Sequence, residues 1–349
     1  MHTPEPSEIV LVGDIVEPGP RRANIFDWDN PTWAEVRQIQ AWLEFGGVRT
    51  QVISAVSTFP THAAALNGEL ILPLWRGGAS RSRTSIVPAV CEALGLAWIG
   101  ADAFAQSVCQ DKSLAKHYLR AAGIACADDV VIRAAPVSTE KAIELRKLAL
   151  PVVVKPLLSA CSIGISADAI CRSLDSIISR TELLFSRGLG PVICEPFIEG
   201  DEVSICVVEK GGAPALSCIA GYRTEDGSCP FTRRVMTFED KVSSGNWTIN
   251  SLEGVLEEGL FPKVERLLEM LGPVHLIRLD GRLRNGVFTA IELTPDIHLG
   301  LDSIFLGGFS SAGVPPWKVL HAAVNAALCS KRGGQPIHTI MDLASMGPG

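Results

Sequence analysis

Two carboxylates and an arginine, spaced along what reads as a β-hairpin, are the residues of this chain best suited to chemistry. His275-Leu-Ile-Arg-Leu-Asp280 and Thr289-Ala-Ile-Glu-Leu-Thr294 flank Asn285-Gly286, a pair that favours a tight hairpin turn. Alternate residues on a strand share a face, so Arg278 points with Asp280, and Glu292 with Thr294. Hard carboxylate oxygens beside a guanidinium suit magnesium carrying nucleotide phosphates, with the arginine stabilising charge that develops on transfer. A structural, salt-bridged hairpin would use the same residues. Register discriminates between the two. Positions 280 and 292 are both even, so a plain two-residue turn at 285–286 would put the carboxylates on opposite faces. A metal site requires an odd-length loop or a bulge.

Further charged residues sit where apolar strands end. Lys155 closes Leu150-Pro-Val-Val-Val-Lys-Pro156 and precedes Ser159-Ala-Cys-Ser-Ile-Gly164, a loop of small residues whose backbone N–H groups could approach phosphates. Read alone, that lysine simply marks the exit of a strand into water. Lys112 and Lys116 lie one turn apart on a helix face, an arrangement that usually just solvates a helix. Glu195 ends another apolar strand and leads through Phe197-Ile198 to Glu202. A hydrophobic linker flanked by carboxylates offers a slot for a purine base and its ribose; surface glutamates beside a buried strand are the alternative.

These residues need a scaffold of strands and helices. Residues 8–12 and 49–54 read as strands, with helices at 31–45 and 85–94, each closed by glycine. That alternation predicts an α/β unit with a mostly parallel sheet over 1–108. The glycine-rich run Arg76–Arg81 before a helix could hold an anion or be a plain turn. A second unit, 109–200, opens on Asp111 as helix N-cap, ends that helix at Gly123, and continues through strands near 150–156 and 191–195 and a helix near 173–186. A third, 201–332, holds strands near 203–209 and 215–222, helices near 254–271 and 316–330, and the hairpin. Residues 333–349 read as a flexible tail.

Composition narrows the class. The chain has 349 residues, is 47% hydrophobic and 20% charged, and carries a net charge of −7, which argues against nucleic-acid or membrane-surface partners. No run of about 18 apolar residues marks a membrane span. The opening segment lacks the basic and apolar regions of a secretory signal, so a cytoplasmic location is expected. The 10 cysteines show no metal-type spacing and mostly sit among apolar residues, which predicts reduced core thiols.

Taken in order, Asp111-Lys-Ser-Leu-Ala-Lys116, the Lys155 strand, Ser162-Ile-Gly164, Glu195-Pro-Phe-Ile-Glu-Gly-Asp-Glu202, Thr237-Phe-Glu-Asp-Lys241, Arg278-Leu-Asp280 and Glu292-Leu-Thr294-Pro-Asp296 resemble the D-alanine–D-alanine ligase-like branch of the ATP-grasp superfamily. The resemblance covers roughly residues 85 to 330. It implies an α/β (α+β) ATP-grasp fold of three subdomains, the first a pre-ATP-grasp α/β domain, with ATP between the second and third. It implies that Lys112, Lys155 and Ser162 hold ATP phosphates, that Glu195, Phe197 and Ile198 bind adenine, and that Glu202 binds ribose. Lys241 would approach the phosphates, and Arg278 would stabilise the transition state. Asp280, Glu292 and Thr294 would ligate two magnesium ions, with Asp296 the alternative to Thr294 and manganese the alternative metal. Ser303, within a segment 296–313 that includes Gly307-Gly308-Phe309, would line the substrate pocket.

The reaction implied is amide or peptide-bond formation between a small carboxylate and an amine through an acyl phosphate, by a homodimer. An ATP-binding regulatory protein and a carboxylate kinase are the other readings. The chain departs from the family at Thr294, where an asparagine is usual. In the loop it has Ser159 and Cys161 where D-alanine–D-alanine ligases carry glutamate and serine, and Val242 where they have tyrosine. Those departures imply an amino acid or small peptide other than D-alanine as substrate.

Overall fold

A computed structural model describes residues 8–17, 30–45, 47–66, 68–76, 78, 80–242, 245–252, 254–256 and 259–330; the expected tail lies outside them. The first elements are β1 (Ile9–Val12), α1 (Trp33–Phe45), β2 (Thr50–Ile53), α2 (Phe59–Ala63), β3 (Leu70–Pro73), α3 (Ile86–Leu94) and β4 (Ala97–Trp98). The strands form a parallel sheet of order β2-β1-β3-β4. All four residues of β1 are buried, as a parallel strand covered on both faces requires. In α1 the apolar stripe Val36, Ile39 and Leu43 turns inward at helical spacing.

Two helices follow, α4 (Ala103–Gln110) and α5 (Lys112–Ala122). Asp111 caps α5, accepting from the amides of Ser113 and Leu114, and Gly123 closes it in the left-handed conformation. Next come β5 (Val130–Ile132), α6 (Thr139–Leu145), β6 (Val152–Pro156), β7 (Ile170–Cys171), α7 (Leu174–Ser186) and β8 (Val192–Pro196). These strands form an antiparallel sheet of order β5-β8-β6-β7, packed on α6 and α7.

The last elements are β9 (Asp201–Lys210), β10 (Ala213–Arg223), α8 (Phe238–Val242), β11 (Thr248–Ser251), α9 (Leu260–Leu271), β12 (Leu276–Arg284), β13 (Val287–Thr294), α10 (Ile304–Ser311) and α11 (Pro316–Cys329). They build a five-stranded sheet, β11-β10-β9-β12-β13. Strand alternation splits β9 between two cores. Val203, Ile205 and Val207 face α5 and α9, while Cys206 and Val208 face α10 and α11. The second of these cores also takes in Ile9, Leu11 and Leu43, so α10 and α11 join the first sheet to the last.

Two sequence expectations are corrected, and one helix was not foreseen. Helices α4 and α5 bury Ala105, Ala115, Leu119 and Ala122 against α9 and the five-stranded sheet, so residues 103–108, expected with the first unit, and 109–122, expected with the second, share a core with the third. The helix expected from 254 starts at Leu260, because Gly259 takes a left-handed conformation. The segment from Ile304 to Ser311 is a helix, which the glycines at 307 and 308 disguised.

Candidate active site

The hairpin resolves the register question. Arg284 pairs with Val287 across a two-residue turn, and the regular ladder runs back to Gly281 opposite Ala290. A bulge then leaves Ile291 unpaired and sets Asp280 directly opposite Glu292. Below the bulge, Ala290 stays in the core and is tied through its amide to the carbonyl of Ala125 at 2.8 Å. Both carboxylates therefore face one way.

Around Asp280 the charges are dense. Arg278 Nε donates to its Oδ1 at 2.6 Å, Ser204 Oγ to the same oxygen at 2.5 Å, and Thr294 Oγ1 to Oδ2 at 3.2 Å. Burial pushes the Asp280 carboxyl up, but Arg278 and Ser204 more than reverse this and hold it ionised. Burial likewise opposes the charge of Arg278, and Asp280 holds the guanidinium protonated far into alkali. The donor set fits a hard divalent cation. Two carboxylates face each other, and Thr294 spends its proton on Asp280, leaving hydroxyl lone pairs free to ligate.

Three buried lysines approach from two directions. Lys112, on α5, lies 3.5 Å from Glu292 and donates to the carbonyl of Ser159 at 2.5 Å. Burial lowers its pKa, and Glu292 opposes that shift. Lys155, at the end of β6, is 2.5 Å from Glu195 Oε1. Lys116 is fully buried and pairs with Glu195 Oε2, so it is not the solvated helix-face lysine its spacing implied. Burial pushes Glu195 up, and the two ammonium groups overcome it, taking the carboxyl down to about 2.

The linker and the loops close this cleft. The Phe197 amide donates to the Pro151 carbonyl at 2.8 Å, so Phe197 offers a ring rather than an amide; that ring lies 5.5 Å from the Arg282 guanidinium. Glu202 pairs with Arg282 at 3.2 Å, and burial still raises its pKa. Arg282 was absent from the sequence candidates, and so was Ser204: each faces the cleft only because of the pairing of β9 with β12. Ser162 adopts a left-handed conformation (φ 54°) and donates to the Met236 carbonyl at 3.0 Å, and the Phe238 amide donates to the Ile165 carbonyl at 3.1 Å. These bonds lash the small-residue loop to the segment leading into α8, where Lys241 sits at the rim.

The cleft has a volume of about 120 Å³ and is lined by Lys155, Ser162, Glu195, Phe197, Ile198, Glu202, Lys241, Arg278, Asp280 and Glu292. Of the expected site residues, Lys112 reaches it through Glu292. The cleft shares Tyr222, Met236, Lys241, Arg278 and Ile304 with a second cavity of about 720 Å³. There Glu35, from the first turn of α1, meets His298 at 2.5 Å, with Asp302 close by. Burial opposes ionisation of Glu35, but His298 and the Thr32 amide take it down to about 2. Arg76, from the glycine-rich run, also reaches this cavity; Gly77 and Ala79 of that run lie outside the described residues.

Ser303 and Thr294 line the second cavity as well. The Ser303 hydroxyl caps α10 and donates to the Gly300 carbonyl at 2.7 Å. Gly307, Gly308 and Phe309 do not line it: a Cβ on Gly308 would stand 2.5 Å from that of Ala220, and Phe309 is buried in the core. The two glycines let α10 lie close on the sheet.

A three-sheet architecture with a charged cleft between its second and third sheets is the ATP-grasp fold. It superposes on the ATP complex of the Bacillus anthracis D-alanine–D-alanine ligase with a TM-score of 0.68 at 18% identity, covering 92% of this chain and 97% of that one. The VanG D-Ala:D-Ser ligase of Enterococcus faecalis gives 0.65 at 14% identity over 92% and 99%. The D-ala D-ala ligase C-terminus family matches residues 118–249. D-alanine–D-alanine ligase A of Bacillus cereus is 30% identical over 131 residues, 38% of this chain and 42% of that protein; the Xylella fastidiosa D-alanine–D-alanine ligase is 22% identical over 185 residues, 52% and 59%. The chain thus spans about half the length of the curated relatives it matches. The likeness to solved structures shows the fold, and over residues 118–249 the chain is similar to the D-alanine–D-alanine ligases. Among the described residues no helix is long and apolar enough to cross a membrane, and all ten cysteines are free thiols.

Proposed function

We propose that the protein is an ATP-dependent carboxylate–amine ligase acting on an amino acid or small peptide other than D-alanine. The observation that carries this reading is the bulge that sets Asp280 opposite Glu292, with Arg278 and Lys112 against them. ATP phosphates would lie against Lys112, Lys155 and Ser162, with adenine at the Phe197-Ile198 linker and ribose at Glu202. Asp280, Glu292 and Thr294 would hold magnesium, which when bound neutralises phosphate charge. A substrate carboxylate oxygen attacks the γ-phosphorus and ADP leaves. The amine then attacks the acyl carbon, loses a proton and expels phosphate, forming the amide. Arg278 stabilises the charge that develops on transfer. The loops lashed across the cleft exclude water, which would otherwise hydrolyse the acyl phosphate.

The volume of the cleft lies below the roughly 300 Å³ at which ligand pockets begin, so the loops must part to admit a nucleotide. Three features support a substrate other than D-alanine. They are Thr294, the Ser159–Cys161 loop, and a second cavity large enough for a ligand well beyond alanine in size. Its walls mix the carboxylates Glu35, Asp296 and Asp302 with Arg76 and the aromatics Tyr222 and Trp247. The test is ADP and phosphate release across pairs of small carboxylates and amines. Release that requires both substrates is expected. Release with the carboxylate alone would make the protein a kinase, and none with any pair would make it a nucleotide binder.

A further inference from the structure

Lys116 is a fully buried charge that the mechanism above does not use. It stands on α5, which packs on α9 and the five-stranded sheet. Its partner Glu195 stands on β8 of the central sheet, so the ion pair crosses from one body to the other. Asp129 is a second, looser partner at 3.9 Å and is itself 3.4 Å from Arg120. Glu195 is thus held from both sides, by Lys116 on one oxygen and by Lys155 on the other.

We propose that Lys116 is a positioning residue that releases Lys155 to the nucleotide. The inference rests on the reading that phosphates bind in this cleft. With a single lysine partner, Glu195 would trap Lys155, because moving that ammonium to a phosphate would strand a buried carboxylate without a counter-charge. Lys116 keeps Glu195 compensated while Lys155 changes partners. It touches neither base nor phosphate in this scheme; it sets what a move of Lys155 costs.

A role confined to holding α5 against the central sheet would weaken every ligand of the cleft alike. The proposed role concerns phosphates only. The test measures affinities of the full chain for adenosine, ADP and a non-hydrolysable ATP analogue, by calorimetry with magnesium present. Lys116→Met should weaken ADP and the analogue by about 10- to 100-fold, the worth of a charge-assisted contact, and leave adenosine within about threefold. Lys116→Arg should keep most of the affinity. Adding Glu195→Gln to Lys116→Met should restore at least about tenfold of the loss, since a neutral amide no longer traps Lys155.

Equal weakening of adenosine and ADP, no weakening of either, or failure of Glu195→Gln to restore affinity would each overturn the proposal. If Lys116→Met does not fold, Glu195→Gln decides by the ratio of ADP to adenosine affinity, which cancels any contact of Glu195 with the base: a ratio at or above that of the unaltered chain supports the role, and an about tenfold fall in it refutes it. ADP release is followed in parallel. An unaltered chain that binds ADP in this Lys116-dependent way but never joins an amine retains this inference and loses the ligase reading; one that binds no ADP loses both.

Discussion

The narrow cleft and the wide cavity beside it share five lining residues but are built differently. In the cleft, opposed charges come from neighbouring regular elements: Lys155 and Lys116 on Glu195, Lys112 near Glu292, Arg278 on Asp280, Arg282 on Glu202. In the cavity, side chains arrive from elements and loops far apart in the chain. Glu35 and His298, 263 residues apart, meet across the boundary between first and third units, and the buried Nε of Arg76 has no hydrogen-bond partner among the described residues. The paired cleft suits a reaction common to many substrates. The cavity, assembled from distant parts of the chain, is the proposed seat of substrate choice.

If that division holds, variants in the cleft should alter turnover or nucleotide handling, and variants in the cavity should alter substrate affinity alone. The largest effect is expected at Arg278. Arg278→Ala should lower turnover by about 100- to 1000-fold while ATP affinity changes little, because in the proposed mechanism the guanidinium acts on charge formed during transfer. Single-turnover kinetics with a separate ATP-binding measurement check this. Equal losses in both would move Arg278 from transition-state to ground-state binding.

Acid stability gives the next effect. Glu195 titrates near 2 in the folded chain against an ordinary value of 4.5, so its ionised form stabilises the fold above pH 4.5. That contribution fades as pH falls through the folded pKa, and linkage puts it on the order of 3 kcal/mol. Denaturant unfolding between pH 5 and 2 should show a shallower pH dependence for Glu195→Gln by about that amount. Glu35, also held near 2, contributes in the same window, so some slope should persist. An unchanged slope would mean that Glu195 is not the buried, doubly paired carboxylate described above. Glu292→Gln follows: the magnesium concentration giving half-maximal turnover should rise about 10- to 100-fold, with little change in the substrate KM.

Much of the cleft was legible because strand periodicity places side chains. For the two carboxylates to share a face, the parity of 280 and 292 required an odd-length loop or a bulge, and a bulge at Ile291 is what the hairpin has. Lys116 was misread for the opposite reason. Helix spacing says which residues share a face but not what that face meets, and here it meets Glu195 from another body. The helix Ile304–Ser311 was hidden by its two glycines, which lower helix propensity while permitting close packing on Ala220. The placing of α4 and α5 on the third unit could not be read from chain order, since it depends on which sheet offers an open apolar face. The pairing of Glu35 with His298 left no local signal at all.

That pairing supplies the smallest expected effect and the sharpest trial of the division between cleft and cavity. Glu35 keeps one carboxylate oxygen on the Thr32 amide and hydroxyl and turns the other to His298, so the pair is anchored at the start of α1. His298→Ala removes one partner and leaves that anchor in place. It should raise the KM of one organic substrate by about tenfold, the worth of one charged hydrogen bond, and leave both turnover at saturation and the KM for ATP nearly unchanged. Glu35→Gln should act in the same direction on the same substrate. A rise in the KM for ATP instead would show that the cavity and the cleft respond as one site, because Tyr222, Met236, Lys241, Arg278 and Ile304, the residues common to both, would then be transmitting the change.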